Sequence, residues 1–160
     1  MKKRIVSLLV VVCSAVVLCG CNREDEADYH YTWSITKESD TWKLEDYVIE
    51  IVPMKLTAGR GTLQMKNTEE YNTDFFNFDT YVVHGNKKRR IHSKSVSGAA
   101  IDIAEEKTGN IEEDTSFYNN DSFLTAGDIN AIYMMIEWWD TEQEEIVKEK
   151  IPLYSGGAGN

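Results

Sequence analysis

The sequence predicts an all-β domain built as one antiparallel β-sandwich. From residue 29 onward, apolar and polar residues alternate in short runs, as they do in strands with one buried face. Turn residues separate these runs at nearly even spacing, and no run has the apolar period of an ordinary helix. About seven or eight strands are expected, which favours a sandwich over the alternative of a small β-barrel that binds a ligand in its mouth.

Three strands are predicted in the first part of the domain. Residues 31–35 alternate aromatic or aliphatic side chains with polar ones and predict the first strand. A second run, residues 42–52, ends at Pro53, which is tolerated only at a strand end or edge. The glycines within residues 58–61 predict a turn, and residues 62–66 predict the third strand.

The middle of the domain is predicted as a hairpin. Residues 74–84 are rich in aromatic and β-branched residues and form the strongest strand candidate. Gly85-Asn86 marks the turn, which we expect to close over residues 85–88, and residues 90–97 form the returning strand. Residues 98–109 fit either a short strand or a loop, and residues 108–112 predict another strand.

Two more strands are predicted in the last part of the domain. Residues 131–139 are nearly all apolar and predict a central strand, and residues 146–154 predict the last strand. The connecting segments are a polar loop at 113–122, a short helical turn or corner at 123–130, an acidic turn at 140–145 and a loose tail at 155–160.

The start of the central strand resembles a corner of immunoglobulin domains. Residues 128–133 match the corner at which such domains enter a late strand, with Tyr133 as the corner tyrosine, so the resemblance implies an immunoglobulin-like sandwich. Composition favours the opposite face of this strand as the buried one. Its residues are Ile132, Met134, Ile136 and Trp138.

Before the domain lies the stretch Leu18-Cys19-Gly20-Cys21. Residues 2–4 are basic and residues 5–18 are almost wholly apolar, the arrangement of a secretory signal peptide. The spacing of Leu18, Gly20 and Cys21 resembles the lipobox of bacterial lipoproteins. The resemblance implies that diacylglycerol is joined to the Cys21 thiol and that the Gly20–Cys21 bond is cut. Two acyl chains would hold the protein on the outer side of a bacterial cell membrane.

Two other interpretations of the N-terminus stay open. One is a short uncleaved membrane helix that ends in Cys, and the other is a plain signal peptide cut after Gly20, which would leave an odd free thiol. With the lipobox, the chain divides into a signal peptide at 1–20, a lipidated tether at 21–28, a domain at 29–154 and a tail at 155–160.

Cysteine content and charge narrow the classes of partner. The three cysteines are Cys13, Cys19 and Cys21, so the mature chain keeps one thiol and forms no internal disulfide. Three of the 17 basic residues and none of the 27 acidic residues precede Cys21, which leaves 14 basic and 27 acidic residues and a net charge of −13. Such a field disfavours nucleic acid and anionic lipids as general partners.

One basic cluster stands out on this acidic chain, formed by Lys87, Lys88, Arg89 and Arg90. It is either a solvated hairpin tip that discourages edge pairing or a contact for an anionic envelope polymer or acidic protein face. His84 and His92 flank the cluster. In the predicted hairpin His84 lies opposite Arg89 and His92 opposite Tyr81, about three residues apart along the strands. We therefore expect no metal there.

The outer face of the central strand offers a second candidate contact. Tyr133, Met135 and Trp139 lie opposite its predicted core face, where aromatic side chains stack on sugars or anchor a protein partner. The alternative is cross-strand packing against Phe75 and Tyr81. Trp139 joins the basic cluster in the predicted set of contact residues.

No motif in the sequence predicts catalysis or a cofactor, because no nucleophile with a base and no paired carboxylates occur in a recognisable pattern. We therefore expect a binding or interaction module of the cell envelope and not an enzyme. The alternative is a small-molecule or cation carrier with a pocket between the sheets or in a barrel mouth. An apolar pocket lined by tryptophans would favour the carrier, and the lack of a sizeable pocket would favour the module.

Overall fold

The structure of the protein, a computed structural model, describes residues 29–114 and 124–156. The predicted signal peptide, the lipidation site at Cys21 and the tether lie outside the described residues, as do residues 115–123 and 157–160. In the described ranges, no helix is long and apolar enough to cross a membrane.

Two antiparallel sheets make up the described part of the chain. Sheet A contains β1 (Tyr31–Glu38), β2 (Trp42–Val52), β3 (Lys55–Gly59), β4 (Thr62–Met65), β7 (Glu105–Lys107) and β8 (Asn110–Asp114). Sheet B contains β5 (Asn72–His84), β6 (Lys87–Asp102), β9 (Ile129–Asp140) and β10 (Glu145–Ser155). A 3-10 turn, Ala126–Asp128, precedes β9.

The sheets face one another and do not close into a barrel, so the prediction of a single antiparallel β-sandwich is confirmed. In sheet A, β3 and β4 pair end to end with the same edge of β2. β8 and β7 pair in turn with the outer edges of β3 and β4. β1 covers the other side of β2. The order in sheet B is β10-β9-β5-β6. When β3 with β4 and β8 with β7 are each counted as one strand position, the ten strands of the described residues occupy eight positions, in agreement with the predicted number.

Alternating side chains of both sheets form one core. Trp42 of β2 lies 5.5 Å from the ring of Phe76 and 5.7 Å from that of Trp138, which joins the two sheets at their centre. The predicted inward face of β9 is confirmed, since Ile132, Met134, Ile136 and Trp138 are all buried. Tyr133 lies on the outer face instead, with its ring 5.4 Å from that of Tyr81.

The turn predicted at residues 58–61 is wrong. The chain reverses at Pro53 and Met54, and the strand β3 that follows was missed. Gly59 serves a different purpose, because it has a φ of 137° and a Cβ there would lie 2.2 Å from the carbonyl oxygen of Gly109. The glycine allows close approach of the neighbouring strand within a line that continues from β3 into β4.

The hairpin between β5 and β6 is tighter than predicted. It closes over Gly85 and Asn86 alone, with Gly85 at a φ of 54°, so His84 lies opposite Lys87 and not opposite Arg89. A register shift at Ile91 then brings His92 opposite Thr80 and not opposite Tyr81. The ambiguous residues 98–109 contain the end of β6 and the short strand β7.

Different contacts close the two open sides of the sandwich. On one side β1 meets β10, where the rings of Trp33 and Tyr154 lie 5.5 Å apart. On the other side β6 meets β7 and β8. There Lys94 places its Nζ 2.5 Å from a carboxylate oxygen of Glu106 and donates to the carbonyl of Lys107 at 2.8 Å.

Candidate functional site

The basic cluster is divided between the two faces of β6, because successive side chains of a strand point to opposite sides. Lys88 and Arg90 lie on the outer face of sheet B. Arg89 points across the open edge toward sheet A, with its Nε 3.6 Å from Glu113. Lys87 is exposed beside the turn. The four residues therefore do not form one contact, because Lys88 and Arg90 share the outer face whereas Lys87 and Arg89 lie on the other side of the strand.

Two lysines flank a pair of stacked tyrosines on that outer face. Tyr81 of β5 and Tyr133 of β9 are cross-strand neighbours. The Nζ of Lys88 lies 3.7 Å from the centre of the Tyr81 ring and 5.4 Å from that of Tyr133, and the Nζ of Lys150 lies 4.1 Å from that of Tyr133. A hydrogen bond to the Tyr133 hydroxyl raises the pKa of Lys88, so its positive charge is favoured.

Trp139 lies on the same face but at its other end. Six residues separate it from Tyr133 along β9, which corresponds to about 20 Å at the rise of a strand. Its cross-strand neighbour on β10 is Ile146, whose side chain is 41% exposed. The structure thus places Trp139 on one long surface with Lys88 without bringing the two together. We call this surface, from Trp139 and Ile146 to Tyr81, Tyr133, Lys88 and Lys150, the contact face.

The predicted cross-strand packing of Tyr133 against Tyr81 is confirmed. The contact face also has a different balance of charged side chains from the outer face of sheet A. Around the tyrosine pair, the outer face of sheet B carries four cations, Lys88, Arg90, Lys148 and Lys150, and two carboxylates, Asp79 and Glu137. Two more exposed carboxylates, Asp74 and Asp102, lie at the other end of β5 and β6, away from the Gly85-Asn86 turn. The outer face of sheet A carries three lysines, Lys43, Lys55 and Lys107, and six carboxylates, Glu38, Glu45, Glu50, Glu105, Glu112 and Asp114.

Sequence reasoning missed Lys148 and Lys150. They stand on either side of Glu149 in β10, and they lie opposite Glu137 and Met135 of β9. Period-two spacing after Ile146 was the available signal. Only the pairing register shows that these lysines share a face with Tyr133 and Trp139.

The two histidines occupy unlike surroundings. His84 ends β5 beside the hairpin turn, whereas His92 is buried and its Nδ1 lies 2.8 Å from the Tyr47 hydroxyl. Burial lowers the pKa of His92, and a hydrogen bond to the Thr108 backbone opposes that shift. Within residues 29–114 and 124–156, no group of three or more His, Cys, Asp or Glu side chains is arranged to hold a metal ion.

Two surface crevices bear on the carrier alternative, which needs an apolar pocket of ligand size. One, of about 330 Å³, lies at the β4 and β7 edge and is lined by Gln64, Met65, Thr68, Glu69, Ala104 and Glu105. The other, of about 200 Å³, lies between β6 and β8 and is lined by Arg90, Ile91, His92, Ser93, Ile111 and Glu113. Neither contains a tryptophan, because Trp42 and Trp138 lie in the core and Trp33 packs on Tyr154.

Neither a protein-family model, nor a curated protein, nor a solved structure matches this chain. The geometry of the fold and of the contact face is therefore what bears on function.

Proposed function

We propose that the protein is a lipid-anchored binding module of the bacterial cell envelope. A diacylglyceryl group on Cys21 holds it outside the cytoplasm, and the contact face binds an anionic envelope polymer or an acidic protein. The observation that carries the proposal is the tyrosine pair flanked by Lys88 and Lys150, on the part of the sheet face where cations outnumber carboxylates.

The chemistry of the contact face suits a ligand with both rings and negative charges. Arg90 and Lys148 already pair with Asp79 at 3.2 Å and with Glu137 at 2.9 Å. Lys88 and Lys150 rest on tyrosine rings instead, so their charges are the ones best placed to meet a phosphate or carboxylate. Trp139 and Ile146 add an apolar area at the far end of the face, where a sugar ring or an apolar side chain would pack.

Replacing Lys88 and Lys150 together with Ser should weaken binding to purified anionic cell-wall material. The wild type should also bind more weakly as ionic strength rises, since charge attraction is screened by salt. A pull-down at low and high ionic strength measures both effects.

The matched control replaces Lys43 and Lys107 with Ser, which removes the same charge from the outer face of sheet A. Thermal denaturation checks that both variants stay folded, since surface changes usually alter the free energy of unfolding by no more than about 0.5 kcal/mol. Equal loss of binding in the two variants would assign the effect to net charge and contradict the proposed face.

The anchor has its own test. Replacing Cys21 with Ser should abolish lipid attachment and processing, because a hydroxyl offers no thiolate for acylation. Labelling cells with a fatty-acid probe measures the attachment. Equal labelling of the wild type and the variant would contradict the lipoprotein assignment.

The carrier remains the alternative with less support. A carrier would need an apolar pocket of ligand size, whereas both crevices described above lie at sheet edges and are lined largely by polar side chains.

A further inference from the structure

The two ends of the sandwich differ in what they carry. At one end lie Tyr29, the Pro53-Met54 turn and the Gly85-Asn86 turn. Tyr31 pairs with Ile51 just before the first turn, so the N-terminus enters beside it. We call this the tether end, and we call the opposite end, with the turns at residues 39–41 and 141–144, the far end.

Contacts between the sheets show that both turns lie at the same end. Arg89, two residues beyond Lys87 in β6, lies 3.6 Å from Glu113 of β8. Glu113 pairs with Leu56, one residue beyond the start of β3. Tyr29 also donates to the carbonyl of Leu124 at 2.8 Å, which ties the entering chain to the segment before β9.

The tether end cannot move far from the lipid on Cys21. Eight residue steps separate Cys21 from Tyr29, and a fully extended chain spans about 28 Å over that length. The far end lies roughly 35 Å further on, since β2 alone runs eleven residues along the sandwich.

The two turns at the tether end carry the side chains that a bilayer interface accepts. Met54 is 49% exposed, and with Ile146 it is one of the two exposed large hydrophobic side chains among the described residues. Lys55 follows it, but its Nζ already pairs with Glu112 at 2.7 Å. Lys87 is exposed beside the second turn. Glu112 and Asp114 lie at the same end on β8, so the attraction must come from the two turns and not from the net charge.

We infer that the tether end docks on the membrane that holds the anchor, with Met54 at the interface and with Lys87 on anionic lipid headgroups. This inference rests on the proposed lipid anchor. Apolar side chains beside lysines suit the boundary between headgroups and acyl chains, where an anionic surface attracts nearby cations. Docking at this end would fix the direction of the contact face, with Trp139 and Ile146 furthest from the bilayer.

The test uses the lipidated protein in vesicles that contain phosphatidylglycerol and phosphatidylcholine. Once Cys21 is acylated, the mature chain has no other cysteine, so Asn86→Cys and Glu142→Cys each give a single labelling site, at the tether end and the far end. Energy transfer from a dye at each position to an acceptor on the lipid headgroups reports its distance from the bilayer. We expect transfer from position 86 to exceed that from position 142.

Two double variants separate docking from simple tethering. Met54→Ser with Lys87→Ser should reduce transfer from position 86, whereas Ile146→Ser with Lys148→Ser removes one apolar side chain and one lysine elsewhere and should leave it unchanged. Equal transfer from positions 86 and 142, or an equal effect of the two double variants, would overturn the inference. Failure of the proposed anchor would look different, because the protein would then not stay on the vesicles at all.

Discussion

His92 links the two sheets through a chain of hydrogen bonds at the scale of single residues. The Tyr47 hydroxyl of sheet A lies 3.1 Å from the Thr80 hydroxyl and 2.8 Å from Nδ1 of His92, both in sheet B. The imidazole also bonds to the Thr108 backbone and packs edge-on against Phe78 at 5.1 Å. A neutral ring satisfies this arrangement, because its Nδ1 accepts from Tyr47 while its other nitrogen donates to Thr108.

Stability should decrease as the pH falls below about 6.5. The ordinary pKa of histidine is 6.5, and burial lowers it in the folded protein, so the unfolded chain binds a proton that folded His92 resists. The contribution of neutral His92 to the free energy of unfolding is complete above the pKa of the unfolded chain, and it is lost as the pH falls toward the lowered pKa of the folded protein. Urea unfolding at about pH 7.5 and about pH 5.5 measures the change.

His92→Gln provides the comparison, because the amide keeps an acceptor for Tyr47 but does not titrate. Its free energy of unfolding should depend less on pH than that of the wild type over this interval. Asp102 and Asp140, whose pKa values are lowered mainly by backbone N–H donors, contribute only at lower pH, since their ordinary value is 3.8. Parallel pH profiles for the variant and the wild type would show that His92 is not the group responsible.

At the scale of the elements, β6 is an edge strand that is protected on its open side by inward-facing charges. Lys94 and Arg89 point across the gap and meet Glu106 and Glu113 of sheet A. The side chain of Glu106 is only 12% exposed, so little water can replace this partner if the lysine is removed. Edge strands protected in this way resist pairing with other chains.

Replacing Lys94 with Met should lower the free energy of unfolding by about 1–3 kcal/mol, because it leaves the mostly buried Glu106 carboxylate without its partner. The control is Lys148→Met, which removes a 2.9 Å pair with Glu137 whose lysine is 55% exposed and should cost no more than about 1 kcal/mol. Adding Glu106→Gln to the Lys94 variant should restore part of the loss. Urea denaturation measures all three, and equal costs for Lys94 and Lys148 would contradict this role.

Local composition and pattern predicted the strands with the most apolar residues, and they failed where distant strands set the geometry. β5 was found from its aromatic and β-branched residues and β9 from its nearly continuous apolar run, and both contribute buried residues to the core. The reversal at Pro53 was missed because Met54 adopts a φ of 64° without being Gly or Asn. The end of β6 was missed because its exposed Ser and Ala residues pair with β5 on one side only. Trp139 was predicted as a contact residue from the sequence, but Lys150 could be placed on the contact face only from the pairing register of β9 and β10.

At the scale of the whole molecule, no disulfide stabilises the described fold, since Cys13, Cys19 and Cys21 all precede residue 29. Its core spans both sheets and contains Trp42, Phe76 and Trp138 in mutual contact. Each fully buried large apolar side chain contributes about 1.5–3 kcal/mol. The residues of this core run from Ile35 to Leu153, so residues 1–28 are not expected to be needed for folding.

Residues 29–156, produced without residues 1–28, should therefore fold on their own. We expect a far-ultraviolet circular dichroism spectrum dominated by β-structure and one cooperative unfolding transition that is unaffected by reductant. A shorter fragment that starts at residue 39 removes β1 and should be markedly less stable, because β1 pairs along β2 and Trp33 covers the core beside Tyr154. A helical spectrum, a transition that shifts with reductant, or equal stability of the two fragments would show that the sandwich is not held together in this way.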